Sequence, residues 1–161
     1  MKKIIPCLWF NTQAEEAAHF YAAIFPNSKI GKIAHYDGAS AEVSGQPAGS
    51  VLTVEFELDG NPFLGLNGGP LFKFSEAVSF TIECEDQAEV DKYWHELTAG
   101  VGQESQCGWL KDKFGVSWQI VPKRLNELFN DPDKAKASRV MQAMLQMKKL
   151  DIAVLEKAAN G

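Results

Sequence analysis

Two carboxylates, Glu55 and Glu57, are spaced so that they could act together. They alternate with Val54, Phe56 and Leu58 in the stretch VEFEL. Side chains on a strand alternate between its two faces, so both carboxylates are predicted to point to one side. If that face lines a cavity, the two groups could share a proton or hold a cation. The alternative is a face exposed to solvent.

The three histidines are the next candidates for chemistry. His19 and His95 fall within predicted helices, and we expect them at exposed positions. His35 stands at the end of a predicted strand beside Tyr36 and Asp37. There it could reach the mouth of a cavity and bind a polar ligand, or it could be an ordinary strand end.

Cys7, Cys84 and Cys107 form an odd, widely spaced set without CxxC spacing. Reduced thiols and a cytoplasmic location are the simplest interpretation. Cys107 precedes Gly108 in QCGW and is the thiol expected to face a cavity, although a small buried thiol is the alternative. The charged stretch 111–113 (KDK) is predicted to be a solvated turn.

An internal repeat would position these residues. The stretches TQAE, from Thr12, and DQAE, from Asp86, lie 74 positions apart, and each has an N-cap residue followed three positions later by Glu. Both therefore predict a helix start. Apolar stretches at 4–10 and 78–84 precede them and are typical of strands.

The second halves of the repeat correspond at an offset of 55. Residues 51–58 predict a strand, Asp59-Gly60-Asn61 a hairpin turn, and 62–66 the returning strand. Residues 108–111 and 116–121 occupy the same places in the other half. The stretch 37–50 is rich in Gly, Ser and Ala, and we predict that it is a mobile loop.

The expected fold class is α+β, with two tandem βαβββ modules at 1–70 and 75–122 whose sheets pair around a shared concavity. We predict a single domain, 1–161, with a helical extension at 123–161. That extension has a helix at 123–129, a second with Asp131 as N-cap and Pro132 as first residue, and a third beginning near Asp151. Its methionines are expected to pack on the sheet or against a dimer partner; an adaptable ligand surface is the alternative.

Four stretches together carry a family resemblance: CLWF before the first helix, FLGLNGGP at 63–70, CEDQAEVDKYW at 84–94 and QCGWLKDKFGVSWQIVP at 106–122. The chain resembles the vicinal oxygen chelate superfamily of glyoxalases, bleomycin-resistance proteins and extradiol dioxygenases. The resemblance is closest to the PhnB-like family, whose members are often labelled 3-demethylubiquinone-9 3-methyltransferase. It covers residues 4–122 and implies a glyoxalase-like curved sheet.

In metal-dependent members of that superfamily each module supplies one ligand from its first strand and one from its last. The resemblance places these positions at Ile5 and Leu64 in the first module, and at Ser79 and Gln119 in the second. The first two have no donor atom, Ser79 is a poor ligand, and Gln119 offers a neutral carbonyl. We therefore expect no metal and no other cofactor. A relocated metal site would need other donors: Glu55, Glu57 and His35.

The methyltransferase label lacks support in the sequence. Proteins that bind S-adenosylmethionine commonly have a glycine-rich turn between a parallel strand and a helix. The glycine-rich stretch GLNGGP is followed by LFKF rather than by a helical pattern.

Composition narrows the class of partner. A net charge of -5 and a pI of about 5.2 argue against a nucleic-acid-binding surface, which is normally basic. No stretch approaches the roughly 18 apolar residues of a membrane span. The expected partners are a small-molecule ligand and, from the resemblance, a second copy of the chain.

We therefore predict a small-molecule-binding protein with an apolar cavity. Two functions of other classes stay open: a metal-dependent isomerase, lyase or dioxygenase, and the methyltransferase of the family label. Catalytic residues are not assigned, and enzymatic activity is left open. The predicted ligand-binding residues are Leu64, Leu66, Ser79, Trp109, Gln119 and His35. For Gln119 the alternative is a buried amide that hydrogen-bonds a neighbouring backbone group.

Overall fold

The protein is described here by a computed structural model covering residues 4–161. The chain divides into two compact units, one ending at Phe74 and the other beginning at Ser75. Each unit contains a four-stranded sheet, and the predicted α+β class is confirmed. No helix within residues 4–161 is long and apolar enough to cross a membrane.

The first unit is a βαβββ module with one added helix. Its elements are β1 (Cys7–Phe10), α1 (Ala14–Ile24), β2 (Lys29–His35), α2 (Gly38–Ser44), β3 (Val51–Leu58) and β4 (Asn61–Asn67). The sheet order is β1-β4-β3-β2, with β1 parallel to β4 and the other neighbours antiparallel. The predicted turn at Asp59 and Gly60 has positive φ at both residues, as a two-residue hairpin of matching twist requires.

The second unit repeats the module and adds three helices. Its elements are β5 (Ser79–Cys84), α3 (Gln87–Thr98), β6 (Gln103–Glu104), β7 (Trp109–Lys111), β8 (Ser117–Pro122), α4 (Lys123–Phe129), α5 (Lys134–Met144) and α6 (Ile152–Asn160). The sheet order is β5-β8-β7-β6, with β5 parallel to β8. Cys7 pairs with Leu64 in the first sheet and Thr81 with Gln119 in the second, which confirms both offsets of the repeat.

Each sheet packs one face against its own helix. In the first unit α1 lies on β3 and β4, where Tyr21 stacks near Phe56 with ring centroids 6.3 Å apart. Helix α1 packs closely on the sheet at Gly65, where a Cβ would lie only 3.1 Å from the Ala14 Cβ. In the second unit α3 packs on β7 and β8, and Leu110 and Ile120 are buried. The opposite face of each sheet is left for other contacts, and we call it the open face.

Three predictions about the helices are wrong. Thr12 does not cap α1: the side-chain amide oxygen of Asn67 accepts from Ala14 N at 2.8 Å instead, a distant partner that sequence spacing does not show. The N-cap of α5 is Asp133 rather than Asp131, because the Asp133 carboxylate accepts from the backbone N–H groups of Ala135 and Lys136. The third concerns the stretch 37–50.

That stretch was predicted as a loop, yet it contains α2. The Asp37 carboxylate accepts from Ser40 N at 2.8 Å, and the Ser40 hydroxyl accepts from Asp37 N at 3.0 Å. These two bonds form a capping box, which stabilises a helix start even in a sequence without apolar periodicity. Backbone bonds of Tyr36 with Gly49 and Ser50 close the segment at its base.

The C-terminal helices belong to the core of the second unit. Leu125 and Leu128 of α4, Val140 of α5, and Leu150 and Leu155 form one buried apolar cluster. Among the methionines, Met144 and Met147 are partly buried against this cluster. The predicted bounds of α4 and the start of α6 after Asp151 are confirmed.

Candidate functional site

The open face of the second unit carries a short polar pair beside an indole ring. Gln119 Nε2 donates to the hydroxyl oxygen of Ser79 at 2.9 Å. Gln119 lies opposite Trp109 on the neighbouring strand β7, and strand partners present their side chains on the same face. All three residues are half-buried.

This arrangement leaves three polar groups available to a ligand. Within residues 4–161, no partner is found for the side-chain oxygen of Gln119, the hydroxyl proton of Ser79 or the indole N–H of Trp109. The indoles of the other tryptophans are bonded: Trp9 to the Gly69 carbonyl, Trp94 to the Glu104 carboxylate and Trp118 to the Asp112 carboxylate. The indole of Trp109 therefore differs from these three in having its donor free.

The open face of the first unit contains a cavity of about 260 Å³ that both apolar and charged residues line. Ile5, Leu64 and Pro62 are among the residues that line it. Leu66 follows two positions after Leu64 on β4 and so projects from the same face. The predicted residues Leu64 and Leu66 are thus on one open face, although Leu66 does not line the cavity.

Glu55 and Glu57 also lie on this open face, as their alternation predicted. Glu55 and Glu57 line the cavity, so the face is not simply solvent. Glu57 is paired with Lys29 at 3.2 Å, and both groups are partly exposed. An exposed pair of this kind contributes about 0–1 kcal/mol to stability, and the lysine neutralises one of the two carboxylates.

His35 does not join these carboxylates. It is exposed at the far end of β2, where it pairs with Val51, whereas Glu57 pairs with Lys29 at the start of β2. Six residues of strand separate the two ends, which is about 20 Å. The suggestion that Glu55, Glu57 and His35 form a relocated metal site is therefore wrong.

The four positions that the resemblance assigns to metal ligands do come together in pairs. Ile5 and Leu64 line the same cavity of the first unit, and Ser79 and Gln119 are bonded in the second. Their donor atoms do not fit a metal, because the first pair is hydrocarbon and the second offers only a neutral amide oxygen and a hydroxyl. Across residues 4–161, no group of three or more His, Cys, Asp or Glu side chains could hold a metal ion.

The three cysteines lie in different surroundings. Cys84 is fully buried, and that burial raises the pKa of its thiol to about 12, with Glu89 and Asp86 contributing. Cys7 is exposed on β1, and partial burial raises the pKa of its thiol. Cys107 is half-buried, with a backbone φ of 58°, and its N–H donates to the Met147 carbonyl at 2.8 Å.

Sequence reasoning missed three residues near the site. Asp112 was placed in a solvated turn but is 3% exposed and accepts three hydrogen bonds. Ser117 is buried on the open face, opposite Ser79, and Lys111 of the same turn lies opposite Ser117. The position of Ser117 could have been predicted, because Ser117 and Gln119 are two residues apart on one strand and so point to the same face.

Comparison with known proteins identifies the family. A family model described as 3-demethylubiquinone-9 3-methyltransferase matches residues 2–121. The chain belongs to this family. The PhnB-like resemblance seen in the sequence is thereby confirmed.

Solved structures of relatives agree with the family. A Bacillus cereus PhnB protein, described provisionally as a 3-demethylubiquinone-9 3-methyltransferase, is 32% identical over 75% of this chain and 99% of its own, with a TM-score of 0.66. Protein PA1353 from Pseudomonas aeruginosa is 17% identical over 76% of this chain and 98% of its own, with a TM-score of 0.59, which shows the fold alone. No curated protein matches this chain.

The glycine-rich segment of this PhnB-like chain is a turn at the end of a strand. Gly68 N donates to the Phe10 carbonyl at 3.0 Å, and the Trp9 ring occupies the space that a Cβ at Gly68 would need. The segment 70–78 that follows contains no helix. It therefore lacks the strand, turn and helix of a dinucleotide-type cofactor site.

Proposed function

We propose that this PhnB-like protein binds a small aromatic or amphipathic molecule at its open sheet faces, and does so without a metal. The observation that carries the proposal is the bond between Gln119 and Ser79. Because the amide nitrogen of Gln119 donates to the oxygen of Ser79, the amide oxygen is available as an acceptor and the serine hydroxyl is available as a donor. These two groups are adjacent. Together with the N–H of Trp109 they offer two donors and one acceptor.

The apolar contacts support an aromatic ligand. The half-buried ring of Trp109 offers a surface on which a ring can stack, next to Gln119. In the first unit, Leu64 and Ile5 line a cavity whose volume is near the lower limit for small-molecule sites. Leu66 and His35 complete the predicted set of binding residues, with His35 at the rim of its sheet.

Benzamide is a suitable first probe, because its amide can donate to Gln119, accept from Ser79 and place its ring on Trp109. We would titrate it into ¹⁵N-labelled protein and follow the side-chain N–H signals. The proposal expects shifts at the Trp109 indole and the Gln119 amide, and weaker binding for Gln119→Leu. Gln142→Leu on the exposed side of α5 is the matched control.

Shifts confined to the indoles of Trp94 and Trp118 would contradict the proposal, since the N–H groups of both are already bonded to carboxylates. So would unchanged affinity in Gln119→Leu. Elemental mass spectrometry of untagged protein tests the metal-free part. Close to one equivalent of a transition metal in the wild type, and its loss in Gln119→Leu, would favour a metal-dependent enzyme instead.

The proposal includes a homodimer, which the resemblance implies. Met141 and Leu145 are spaced four residues apart at the end of α5 and are 41% and 54% exposed. Such a pair presents an apolar stripe on one side of a helix. Light scattering should give the mass of two chains at micromolar concentration; the mass of one chain would contradict this part of the proposal.

A further inference from the structure

A second, smaller cavity of about 130 Å³ adjoins the candidate site on the open face of the second unit. Trp109 forms part of its wall, and Lys111, Ser117, Gln103 and Glu76 contribute further polar groups. A cavity of about this size accommodates one aromatic ring or one small charged group with a few waters. Trp109 belongs both to this cavity and to the proposed ligand site.

Ser117 is the unexplained residue of this cavity. It is 1% exposed, and its hydroxyl oxygen has no hydrogen-bond partner in the described chain. A buried hydroxyl without a partner carries a desolvation cost of about 1–3 kcal/mol, so such groups are rare in native proteins. A ligand atom that accepts its proton would remove this cost.

Lys111 lies opposite Ser117 on the neighbouring strand and is the cation among the described residues that line the cavity. Its ammonium is paired with the carboxylate of Glu76, and this partner lowers the pKa of the Glu76 carboxyl. Glu76 is therefore ionised at neutral pH. Its side chain is 62% exposed, and an exposed ion pair is held weakly.

The other carboxylate at this cavity has its own partners. Glu104 accepts from the indole N–H of Trp94 at 2.8 Å and lies 3.9 Å from the ammonium of Lys148. Its charge is therefore balanced without Lys111. Glu76 is left as the carboxylate that a negatively charged ligand would have to replace.

We propose that the ligand is an aromatic acid whose carboxylate binds between Lys111 and Ser117, taking the place of the Glu76 carboxylate. The lysine supplies the charge, the serine hydroxyl donates a hydrogen bond, and the ring lies against Trp109. This inference rests on the proposed function, because the ring uses the same indole. It adds the charge class of the ligand and a residue that competes with it.

The test compares two probes of the same shape, benzoate and neutral benzamide, by titration of the full-length protein. Lys111→Gln should weaken benzoate binding about tenfold, the loss expected for a charge-assisted hydrogen bond, and change benzamide binding little. Ser117→Ala should also weaken benzoate selectively. Glu76→Gln should act in the opposite direction and tighten benzoate binding about threefold, since an exposed competitor is removed.

Matched controls remove the same charges elsewhere. Lys157→Gln on α6 and Glu42→Gln on α2 are exposed substitutions that should leave both affinities unchanged. Equal affinity of wild-type protein for the two probes, or weaker benzoate binding in Glu76→Gln, would overturn the inference while leaving the proposed function intact. Failure of both probes to bind would overturn the inference and the proposed function together.

Discussion

Asp112 is a buried charge that organises the hairpin between β7 and β8. One carboxylate oxygen accepts from Phe114 N at 2.9 Å and Val116 N at 3.0 Å, and the other accepts from the Trp118 indole at 2.9 Å. Hydrogen bonds to an ionised acceptor are the stronger kind. The turn therefore sets the position of β8, which carries Gln119 and Ser117.

Asp112→Ala should lower the free energy of unfolding by about 3 kcal/mol, because it leaves buried donors without an acceptor. Asp112→Asn should cost about half as much, since its oxygen can still accept from the two backbone N–H groups. The cost of Asp112→Asn should shrink in a Trp118→Phe background, where the indole donor is absent. Urea denaturation of the wild type, the single variants and the Asp112→Asn/Trp118→Phe double variant measures these costs, and additive costs would show that the indole bond contributes nothing.

Asn67 is the other buried polar side chain with a defined structural role. Its side-chain oxygen accepts from Ala14 N at 2.8 Å, and its nitrogen donates to the Val51 carbonyl at 3.1 Å. The residue thus caps α1 and ties β3 to β4. Both bonds are to backbone groups distant in sequence, so neither was visible in the capping pattern TQAE.

Asn67→Ala should lower the free energy of unfolding of the first unit by about 2 kcal/mol, because a helix cap and a second buried hydrogen bond are lost. Thr12→Ala is the matched control. It removes the side chain that sequence spacing predicts as the cap. Because Thr12 does not cap α1 in the structure, we expect the free energy of unfolding to change by less than about 0.5 kcal/mol. Thermal unfolding of the two variants measures the difference, and equal losses of stability would mean that Thr12 caps α1 as the sequence predicts.

At the scale of elements, the repeat could be predicted from the sequence because its signals are local. The strand at 51–58, the hairpin turn and the helix starting after Asp86 depend on alternation, turn residues and capping within a few positions. The start of α1 was misplaced because its cap, Asn67, is 53 positions away from Ala14. The same limit applies to the site: the open-face positions followed from alternation, whereas the Lys111–Glu76 contact did not.

Gln87 joins α3 to the start of α6. Its amide nitrogen donates to the Leu150 carbonyl at 3.1 Å, and its oxygen accepts from Ile152 N at 2.8 Å. This bidentate contact fixes the last helix to the βαβββ module. The nearby pair of Lys149 with Asp91 is exposed and should add little.

Gln87→Ala should therefore increase hydrogen exchange at the first backbone N–H groups of α6 by about tenfold, the effect of losing roughly 1.4 kcal/mol of local stability. Lys149→Ala removes the exposed ion pair beside it and should leave the exchange nearly unchanged. Faster exchange in the lysine variant alone would assign the connection to charge rather than to the amide.

At the scale of the molecule, the family match ends at residue 121, just before the three C-terminal helices. These helices nevertheless support the candidate site in the second unit. Met147 and Lys148 accept backbone bonds from Cys107 at 2.8 Å and Gly108 at 2.7 Å, immediately before β7 begins at Trp109. Leu150 packs beside Gly108, where a Cβ would lie 3.1 Å from its side chain.

Truncation after Pro122 should consequently disturb the site as well as the stability of its unit. Without residues 123–161, the N–H groups of Cys107 and Gly108 lose their acceptors, so the segment leading to Trp109 is no longer held. We expect the Trp109 indole signal of ¹⁵N-labelled protein to broaden or shift and its response to benzamide to disappear. The Trp9 indole, bonded to the Gly69 carbonyl within the first unit, is the internal control and should keep its position. An unchanged Trp109 signal in the truncated chain would mean that the hairpin anchored by Asp112 is sufficient to position the site without the helices.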